Sequence, residues 1–518
     1  MSFNTMGTHL QEIFRIAVLP ALLLIVSAAQ SQSGKKPNVI LIYADDLGYG
    51  DPSCYGGTGV ETVYLDRLAQ RGLRFTNAHT TSSTCTPSRY GLMTGEYPWR
   101  RQGTGILPGD AALIIPTDRM TLARVFQQAG YQTGLVGKWH LGLGNSIDKN
   151  WNEPIKPGPN EVGYHYSFIF PATADRVPTV FLENGSVLNI DSGDPIEVNY
   201  KKKIGSDPTG KEHPELLKLF PDPQQGHDQT IVNGIGRMGY MTGGKLARWT
   251  DEELGFTFLE KAKAFVRDHY RQPFFLTYNL TEPHAPRMPG TMFKGKSKLG
   301  LRGDAILQLD WAVGEIMMEL ERLDIDKNTI IIFSSDNGPV LNDGYNDKDV
   351  ELNGSHKPAG PLRGGKYSLL EGGTRVPFII SWPAKIKPGV SDALVGQIDL
   401  LASFARLLRV VVPAGEAADS RDLWQAFLGK TKAGRDCIVE HSRQLAIVCG
   451  DWKFIPANNI PPYFKETYTE SGGSKTDQLY NLKNDIGEKY NLAESHPDKV
   501  KELRALLDRE RERQVLPR

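Results

Sequence analysis

Neither charge nor cysteine is in excess in this sequence. Its 518 residues contain 60 Lys and Arg against 60 Asp and Glu, so the formal net charge is zero. Such a chain has no overall field that would recruit nucleic acid or an acidic membrane surface, and its partner must be recognised locally. The four cysteines include no Cys-x-x-Cys spacing, which argues against the usual zinc sites. Internal repeats are also missing, which argues against repeat architectures.

One apolar run stands out, near the amino terminus. A segment that ends with the basic Arg15 precedes the run 16–26, and small residues follow it. The run is too short for a bilayer core and contains Pro20, and no second run appears later. This order is typical of a secretory signal peptide. We therefore predict a signal peptide at 1–29, cut near Ala29, export to the periplasm or the extracellular space, and no transmembrane anchor after cleavage.

The length exceeds the size at which a single core stops growing, so two domains are expected. In the first, predicted at 36–430, buried strand patterns alternate with amphipathic helix patterns, which predicts an α/β fold with a central mixed, mostly parallel sheet flanked by helices. The predicted strands are 38–44, 131–136, 273–279, 329–334 and 376–382, and the predicted helices are 64–71, 122–129, 251–268, 304–323 and 398–408. Thr250 and Glu253 form a capping-box pattern before the third helix.

From residue 431 the pattern changes to short strands followed by a helix at 498–513. We predict a smaller C-terminal α+β domain, 431–518, with an antiparallel sheet. Cys437 and Cys449 flank a hairpin-like segment, and export would allow them to form a disulfide. The segment 144–250 is rich in Pro, Gly and Asn with little periodicity, which is typical of binding loops. Its run of three lysines, 201–203, indicates a solvated loop or a contact with a sulfated polymer.

The segment from Cys85 to Arg89 combines a thiol, a helix start and a cation. Pro87 suits the first position of a helix, which would make Thr86 the N-cap and place Cys85 just before the positive helix end. Anions bind at such ends. The alternative is a small buried cysteine on a loop.

Polar residues follow four of the predicted strands where each strand ends. In open α/β sheets ligands bind beyond the carboxyl ends of the strands, so we expect these side chains to converge. They are Asp45 and Asp46, Lys138 and His140, His284, and Asp336 and Asn337. The carboxylates and the amide oxygen suit Ca²⁺ or Mg²⁺. Taken singly, adjacent aspartates also cap helices, and Asp-Asn-Gly is also a turn signal.

The segment 83–95 resembles the signature of the type I sulfatases. The segments 43–51, 137–142, 281–286, 335–338 and 362–377 resemble the same family, so the resemblance covers nearly the whole first domain. It implies an alkaline phosphatase-like fold. In that family a formylglycine-generating or maturase enzyme oxidises the cysteine to formylglycine. One hydroxyl of the hydrated aldehyde attacks sulfur, and the other helps to expel sulfate.

The resemblance also implies roles for individual residues. One divalent cation, Ca²⁺ in preference to Mg²⁺, would be held by Asp45, Asp46, the modified Cys85, Asp336 and Asn337. Arg89 would bond the diol oxygens and the carboxylate ligands. Lys138 and Lys366 would contact sulfate, His284 would bind the ester and protonate the departing alcohol, and His140 would remove a proton from the remaining hydroxyl.

The function expected from this resemblance is hydrolysis of a sulfate monoester on a carbohydrate. The substrate would be a polysaccharide or glycosaminoglycan fragment, with galactose or N-acetylgalactosamine as the preferred sugar. Two alternatives remain: a phosphodiesterase or phosphonate hydrolase of the same superfamily, and a non-catalytic binder of sulfated glycans in which Cys85 stays a thiol. The segment 144–250 matches no sulfatase of known specificity, so the sugar-binding residues are unassigned.

Overall fold

A computed structural model describes residues 36–222 and 224–513, so the predicted signal peptide at 1–29 lies outside the described residues. Ten strands form the main sheet. They are β1 (Asn38–Ala44), β2 (Leu73–Phe75), β3 (Gln132–Lys138), β4 (Tyr166–Phe170), β5 (Leu182–Glu183), β6 (Ser186–Val187), β7 (Phe274–Asn279), β8 (Thr329–Ser335), β9 (Phe378–Ser381) and β10 (Gly389–Ser391). Their order is β10-β2-β9-β8-β1-β7-β3-β4-β5-β6.

The centre of this sheet is parallel. Strands β8, β1, β7, β3 and β4 all run in one direction, and β9 joins β8 antiparallel. All seven residues of β1 are buried, because helices cover both faces of the sheet. Side chains of β1 alternate between two cores: Val39, Leu41 and Tyr43 belong to one, and Ile40 and Ile42 to the other. The predicted mixed, mostly parallel α/β sheet is confirmed.

The helices pack on the two faces of the sheet and beyond it. They are α1 (Val63–Gln70), α2 (Cys85–Thr94), α3 (Leu122–Gln128), α4 (Leu254–His269), α5 (Gly300–Arg322), α6 (Asp349–Leu352), α7 (Glu371–Thr374), α8 (Leu400–Leu408), α9 (Trp424–Phe427) and α10 (Pro497–Glu512). In the part of the chain that the structure describes, no helix has the length and apolar character needed to cross a bilayer.

Two local predictions were wrong. The Thr250 side chain makes no capping hydrogen bond, because residues Asp251–Glu253 first form a 3-10 turn and α4 begins only at Leu254. The segment 144–250 is also more regular than predicted. It supplies β4, β5 and β6 to the main sheet, and short antiparallel pairs elsewhere. The short length of most of these strands hides their period in the sequence.

A second, four-stranded antiparallel sheet lies near the C-terminus, as predicted. Its strands are β11 (Cys437–His441), β12 (Leu445–Cys449), β13 (Trp452–Ile455) and β14 (Gln478–Asn481), in that order, and α10 follows. Its apolar side chains share one core with Tyr97, Leu369 and Ile398 from the larger part of the fold. Cys437 lies opposite Cys449 in the ladder, and the two form a disulfide.

Removal of this disulfide should lower stability without affecting the chemistry. The cysteines are 12 residues apart. Closing a loop of that size restricts the unfolded chain, which raises the free energy of unfolding by about 2 to 3 kcal/mol. We expect the double variant Cys437→Ser and Cys449→Ser to unfold at a lower temperature than the oxidised wild type. Cys54→Ser, at a half-buried free cysteine, is the control. An unchanged unfolding temperature in the double variant would contradict the expectation.

Candidate active site

The polar residues that follow β1, β3, β7 and β8 lie at one edge of the main sheet. The register places Ala44 beside Ser335 and Tyr43 beside Asn279, so the segments that follow these strands start side by side. Asp45, Asp46, Lys138, His140, His284, Asp336 and Asn337 are all buried there. Cys85 and Arg89 on α2, and Lys366 on the loop before α7, are buried beside them.

Each carboxylate of the cluster has a cationic neighbour. Lys138 Nζ lies 2.8 and 2.7 Å from the two carboxylate oxygens of Asp45. Lys366 Nζ donates to Asp46 Oδ2 at 2.8 Å. Arg89 Nε donates to Asp336 Oδ2 at 3.0 Å, and its Nη2 lies 2.8 Å from the same oxygen. The site therefore holds three cations close to three carboxylates away from water, where electrostatic interactions are strong.

The oxygen atoms of the cluster fit a divalent cation. Ligand atoms of Asp45, Asp46 and His284 all lie within 4.8 Å of one another. Asn337 donates its Nδ2 to Asp46 Oδ1 at 2.7 Å, while its Oδ1 is buried and finds no hydrogen-bond partner in the described part of the chain. A buried acceptor without a partner calls for an explanation, and a cation provides one. Carboxylate and amide oxygens favour Ca²⁺ or Mg²⁺ over softer metals.

Cys85 is the first residue of α2, and Thr84 occupies the N-cap position. The Thr86 hydroxyl donates to the carbonyl of His140 at 3.1 Å. The predicted cap at Thr86 was wrong, because the helix already begins one residue earlier, at Cys85. Pro87 consequently lies in the first turn of the helix, where no N–H has an intrahelical partner. Cys85 still lies at the positive end of the helix, as the sequence indicates.

Burial dominates the ionisation of the Cys85 thiol and the two histidines. It raises the pKa of Cys85, although Lys138 and Lys366 act in the opposite direction. Burial, together with Lys138, holds the pKa of His140 well below its usual value. Burial, together with Lys366 and Lys138, does the same to the pKa of His284. Without a bound anion, the site favours neutral imidazoles and a protonated thiol.

The backbone partners of the histidines determine which ring nitrogen faces the site. His140 Nε2 lies 2.9 Å from the carbonyl of Leu107, so Nε2 carries the hydrogen and Nδ1 is left as an acceptor. His284 Nδ1 lies 2.5 Å from the carbonyl of Ala285 and donates to it. His284 Nε2 then points into the cluster, 3.7 Å from an oxygen of Asp46. Among the described residues, His140 Nδ1 therefore has no hydrogen-bond partner, whereas His284 Nε2 faces carboxylate oxygens of both Asp46 and Asp343 at 3.7 Å.

Three residues of the site have a left-handed backbone that favours glycine. The φ angles are 63° at Asp46, 56° at His140 and 72° at Tyr367. A bulky side chain in this region costs of order 1 to 3 kcal/mol, and such strain concentrates at functional sites. The strained backbone at these three residues therefore supports the interpretation of the cluster as a functional site.

The structure adds charged residues that the sequence did not indicate. Asp343 accepts from Lys366 Nζ at 2.7 Å and from the Tyr367 hydroxyl at 3.2 Å. After β4, the buried Asp175 contacts His227 Nε2 at 3.0 Å and Arg176 Nη1 at 3.0 Å. Burial raises the pKa of Asp175, but Arg176 and His227 outweigh it, and the net pKa is well below the usual value. Asp175 comes shortly after the end of β4, so the rule that polar site residues follow strand ends applies to it as well.

Comparison with known proteins agrees with this arrangement. A family model described as Sulfatase matches residues 37–410. An N-acetylgalactosamine-6-O-sulfatase of Bacteroides thetaiotaomicron is 50% identical over 501 residues, which cover 95% of this chain and 98% of that protein. Human arylsulfatase A is 31% identical over 493 residues, covering 91% of this chain and 86% of the relative.

A solved structure supports the same conclusion. It is described as part of the metabolism of multiple glycosaminoglycans by Bacteroides thetaiotaomicron, and it superposes with a TM-score of 0.90 at 51% sequence identity. The match covers 92% of this chain and 99% of that one. Because the family model spans most of the chain and these relatives align along nearly its whole length, the chain belongs to the sulfatase family and is an enzyme that hydrolyses sulfate esters.

Proposed function

We propose that this sulfatase removes the 6-O-sulfate of N-acetylgalactosamine in a carbohydrate, with formylglycine made from Cys85. The observation that carries the chemistry is the position of Cys85: it is buried at a helix N-terminus, and the charges of both Lys138 and Lys366 act on it. The relative with that activity, 50% identical along nearly its whole length, supports the choice of sugar. Arylsulfatase A and the N-acetylgalactosamine-6-O-sulfatase are both sulfatases, but their names give different substrates. The choice of sugar therefore rests on the second relative alone.

The side chains of the site divide the work. When present, a divalent cation held by Asp45, Asp46, Asp336, Asn337 and the modified Cys85 compensates negative charge, and the hydrated aldehyde made from Cys85 supplies the nucleophile. Lys138 and Lys366 hold the sulfate oxygens. Arg89 orients Asp336 and donates to the nucleophile. These interactions matter because the ester is already anionic, and attack on it needs preorganised positive charge.

The two histidines move protons in this scheme. His284 Nε2 faces the cluster and protonates the departing alcohol; a bound sulfate ester favours the imidazolium, because an anion nearby raises the pKa of histidine. His140 Nδ1 is an unpaired acceptor among the described residues. In the second half of the reaction it removes a proton from the remaining hydroxyl on the Cys85-derived carbon, so that the aldehyde reforms and sulfate leaves. Asp175, Arg176 and His227 offer hydrogen-bonding groups for sugar hydroxyls beside the site.

Several further features belong to the same proposal. We assign catalysis to the domain at 36–430 and a supporting role to 431–518. The cation is Ca²⁺ in preference to Mg²⁺, since three carboxylates, an amide oxygen and the modified Cys85 suit its higher coordination number. The protein is exported through the segment 1–29, and a separate maturase oxidises Cys85. Sulfated carbohydrate is the substrate partner, and no nucleic acid is involved.

A substrate panel tests the sugar. The enzyme, purified with Cys85 oxidised, is assayed on the 6-sulfate and 4-sulfate of N-acetylgalactosamine, on N-acetylglucosamine 6-sulfate, and on a phosphodiester and a phosphonate ester. We expect kcat/KM to be highest for N-acetylgalactosamine 6-sulfate, by roughly 10²-fold or more over the other sugars, because buried polar groups penalise a misplaced hydroxyl. Faster cleavage of the phosphodiester or phosphonate would favour the alternative hydrolases. Binding of the sulfated sugar without turnover, in protein from the native host whose Cys85 is an unmodified thiol, would favour the non-catalytic glycan binder.

The role of His284 predicts a dependence on the leaving group. A sugar alkoxide needs a proton as it departs, whereas an acidic phenol does not. We expect His284→Gln to lower kcat/KM for a sugar sulfate by about 10² to 10⁴-fold, and for a nitrophenyl sulfate by much less. His269→Gln, at a histidine on α4 outside the site, is the control. Equal losses on both substrates would show that His284 does not act as the acid.

A further inference from the structure

The tip of a short C-terminal hairpin lies next to the active-site loops. Tyr463–Phe464 pairs with Thr469–Glu470, and Tyr468 is the last residue of the connecting loop. The carbonyl of Glu466 in this loop accepts from Asn342 Nδ2 at 2.8 Å and from Gln225 Nε2 at 2.9 Å. Asn342 directly precedes Asp343, which binds Lys366. The hairpin tip is therefore tied to the segment that lines the site.

Tyr468 has two properties that are unusual at a hairpin tip. Its φ is 53°, a left-handed conformation that glycine or asparagine adopts at lower cost. Its side chain is 54% exposed, so burial of the ring does not offset that cost. Because the backbone of Tyr468 is strained and burial of the ring does not offset this cost, a role in binding explains the residue better than a role in stability.

Two cavities meet at Tyr468. One, of about 290 Å³, is also lined by Pro339, Gly364 and Gly365, the last of which precedes Lys366. The other, of about 260 Å³, is also lined by Asn342 and Tyr345. The ring thus stands between two concave surfaces, and both border the loops that carry Lys366 and Asp343. Tyr468 is therefore a neighbour of both loops that supply Lys366 and Asp343 to the site.

We propose that Tyr468 is a stacking platform for the pyranose ring next to the sulfated sugar, so that the enzyme acts on oligosaccharides in preference to monosaccharides. This rests on the proposed hydrolysis of a sugar sulfate. An aromatic ring offers a flat apolar face with a polar tip, which matches the C–H face and the hydroxyl edge of a pyranose. The cavities on either side leave room for that sugar and for its substituents.

The test compares substrates of different length. The mature, metal-loaded enzyme is assayed on N-acetylgalactosamine 6-sulfate and on a tetrasaccharide that carries the same sulfated sugar. We expect wild type to prefer the tetrasaccharide. Tyr468→Ala should lower kcat/KM for the tetrasaccharide by roughly three- to tenfold, mainly through KM, and for the monosaccharide by less than about twofold. Tyr468→Phe should stay close to wild type on both, because the ring is kept.

Two controls separate binding from folding. Tyr468→Asn removes the ring but suits a left-handed backbone, so its unfolding temperature should equal or exceed that of wild type while the tetrasaccharide preference is lost. Tyr490→Ala removes a tyrosine that is 70% exposed and lines neither cavity. It should leave kcat/KM unchanged for both substrates. No loss for the tetrasaccharide in Tyr468→Asn, or an equal loss on both substrates, would overturn the proposal.

A binding measurement distinguishes failure of this inference from failure of the proposed function. Calorimetry with the Cys85→Ser variant and the unsulfated tetrasaccharide requires no turnover. We expect a Kd that is raised roughly three- to tenfold when Tyr468→Asn is added. If wild type desulfates none of the sugars but Tyr468→Asn still weakens this binding, the proposed reaction is wrong and the platform stands. If the reaction holds and the Kd is unchanged, the platform is wrong.

Discussion

Cys85→Ser is expected to lose turnover of the sugar sulfate by about 10³-fold or more, the size of effect seen when a nucleophile is removed. Serine keeps a hydroxyl at nearly the same place, so binding of the ester and the surrounding charges should persist. A single serine hydroxyl can accept the sulfuryl group, but it lacks the second oxygen on the same carbon that would expel sulfate. We therefore expect at most one turnover, followed by a stable sulfated side chain.

Kinetics and intact mass together check this result. The rate is measured over many turnovers, and the peptide that spans residue 85 is then weighed in wild type and variant. Wild type should show loss of the thiol and gain of an aldehyde, and the variant should show an added sulfuryl group after exposure to substrate. Cys54→Ser, at the other free cysteine, should keep wild-type kcat. Full activity in wild-type protein whose Cys85 is an unmodified thiol would contradict the formylglycine proposal.

The long elements of the fold could be predicted because burial on both faces leaves a strong pattern. β1 and β8 are continuous apolar runs, and the structure places both in the centre of the sheet. β9 was predicted at nearly the right position, yet its antiparallel direction has no signature in a short buried run. Strands of two or three residues, such as β5 and β6, are determined by their partners in the sheet and not by local sequence.

The candidate site shows the same division. Asp45 and Asp336 follow clear strands, so their convergence could be anticipated from the rule for strand ends. Asp343 lies in an Asn-Asp-Gly turn, and only the fold of the loop brings its carboxylate to Lys366. Asp175 follows β4, a five-residue strand in a segment with little periodicity, so the sequence does not mark it as a strand-end residue. Tertiary contacts of this kind have no local period, and sequence patterns alone do not reveal them.

A buried charge network joins helix α7 to the C-terminal sheet. Lys453 on β13 is fully buried, and its Nζ lies 2.9 Å from Glu371, 2.7 Å from Glu440 and 3.6 Å from Glu488. Burial raises the pKa of Glu371, but Lys453 outweighs it and lowers the pKa to about 2. Glu371 begins α7, only five residues after Lys366. Lys453 therefore neutralises carboxylates from both parts of the fold, close to the site.

Lys453→Met should destabilise the protein by about 3 to 5 kcal/mol at neutral pH, because it leaves buried carboxylates without their counter-charge. In the variant, Glu371 and Glu440 are expected to have a pKa above the value near 4.5 that a glutamate has when unfolded. A group whose pKa is raised in the folded state stabilises the folded protein at low pH, and this stabilisation is lost as pH rises. The difference in unfolding temperature from wild type should therefore be larger at pH 8 than at pH 5, in thermal scans at a fixed rate. Lys501→Met, at an exposed lysine of α10, should show neither effect. If the deficit instead grows as pH falls, the carboxylates do not take up protons and this electrostatic account of the network is wrong.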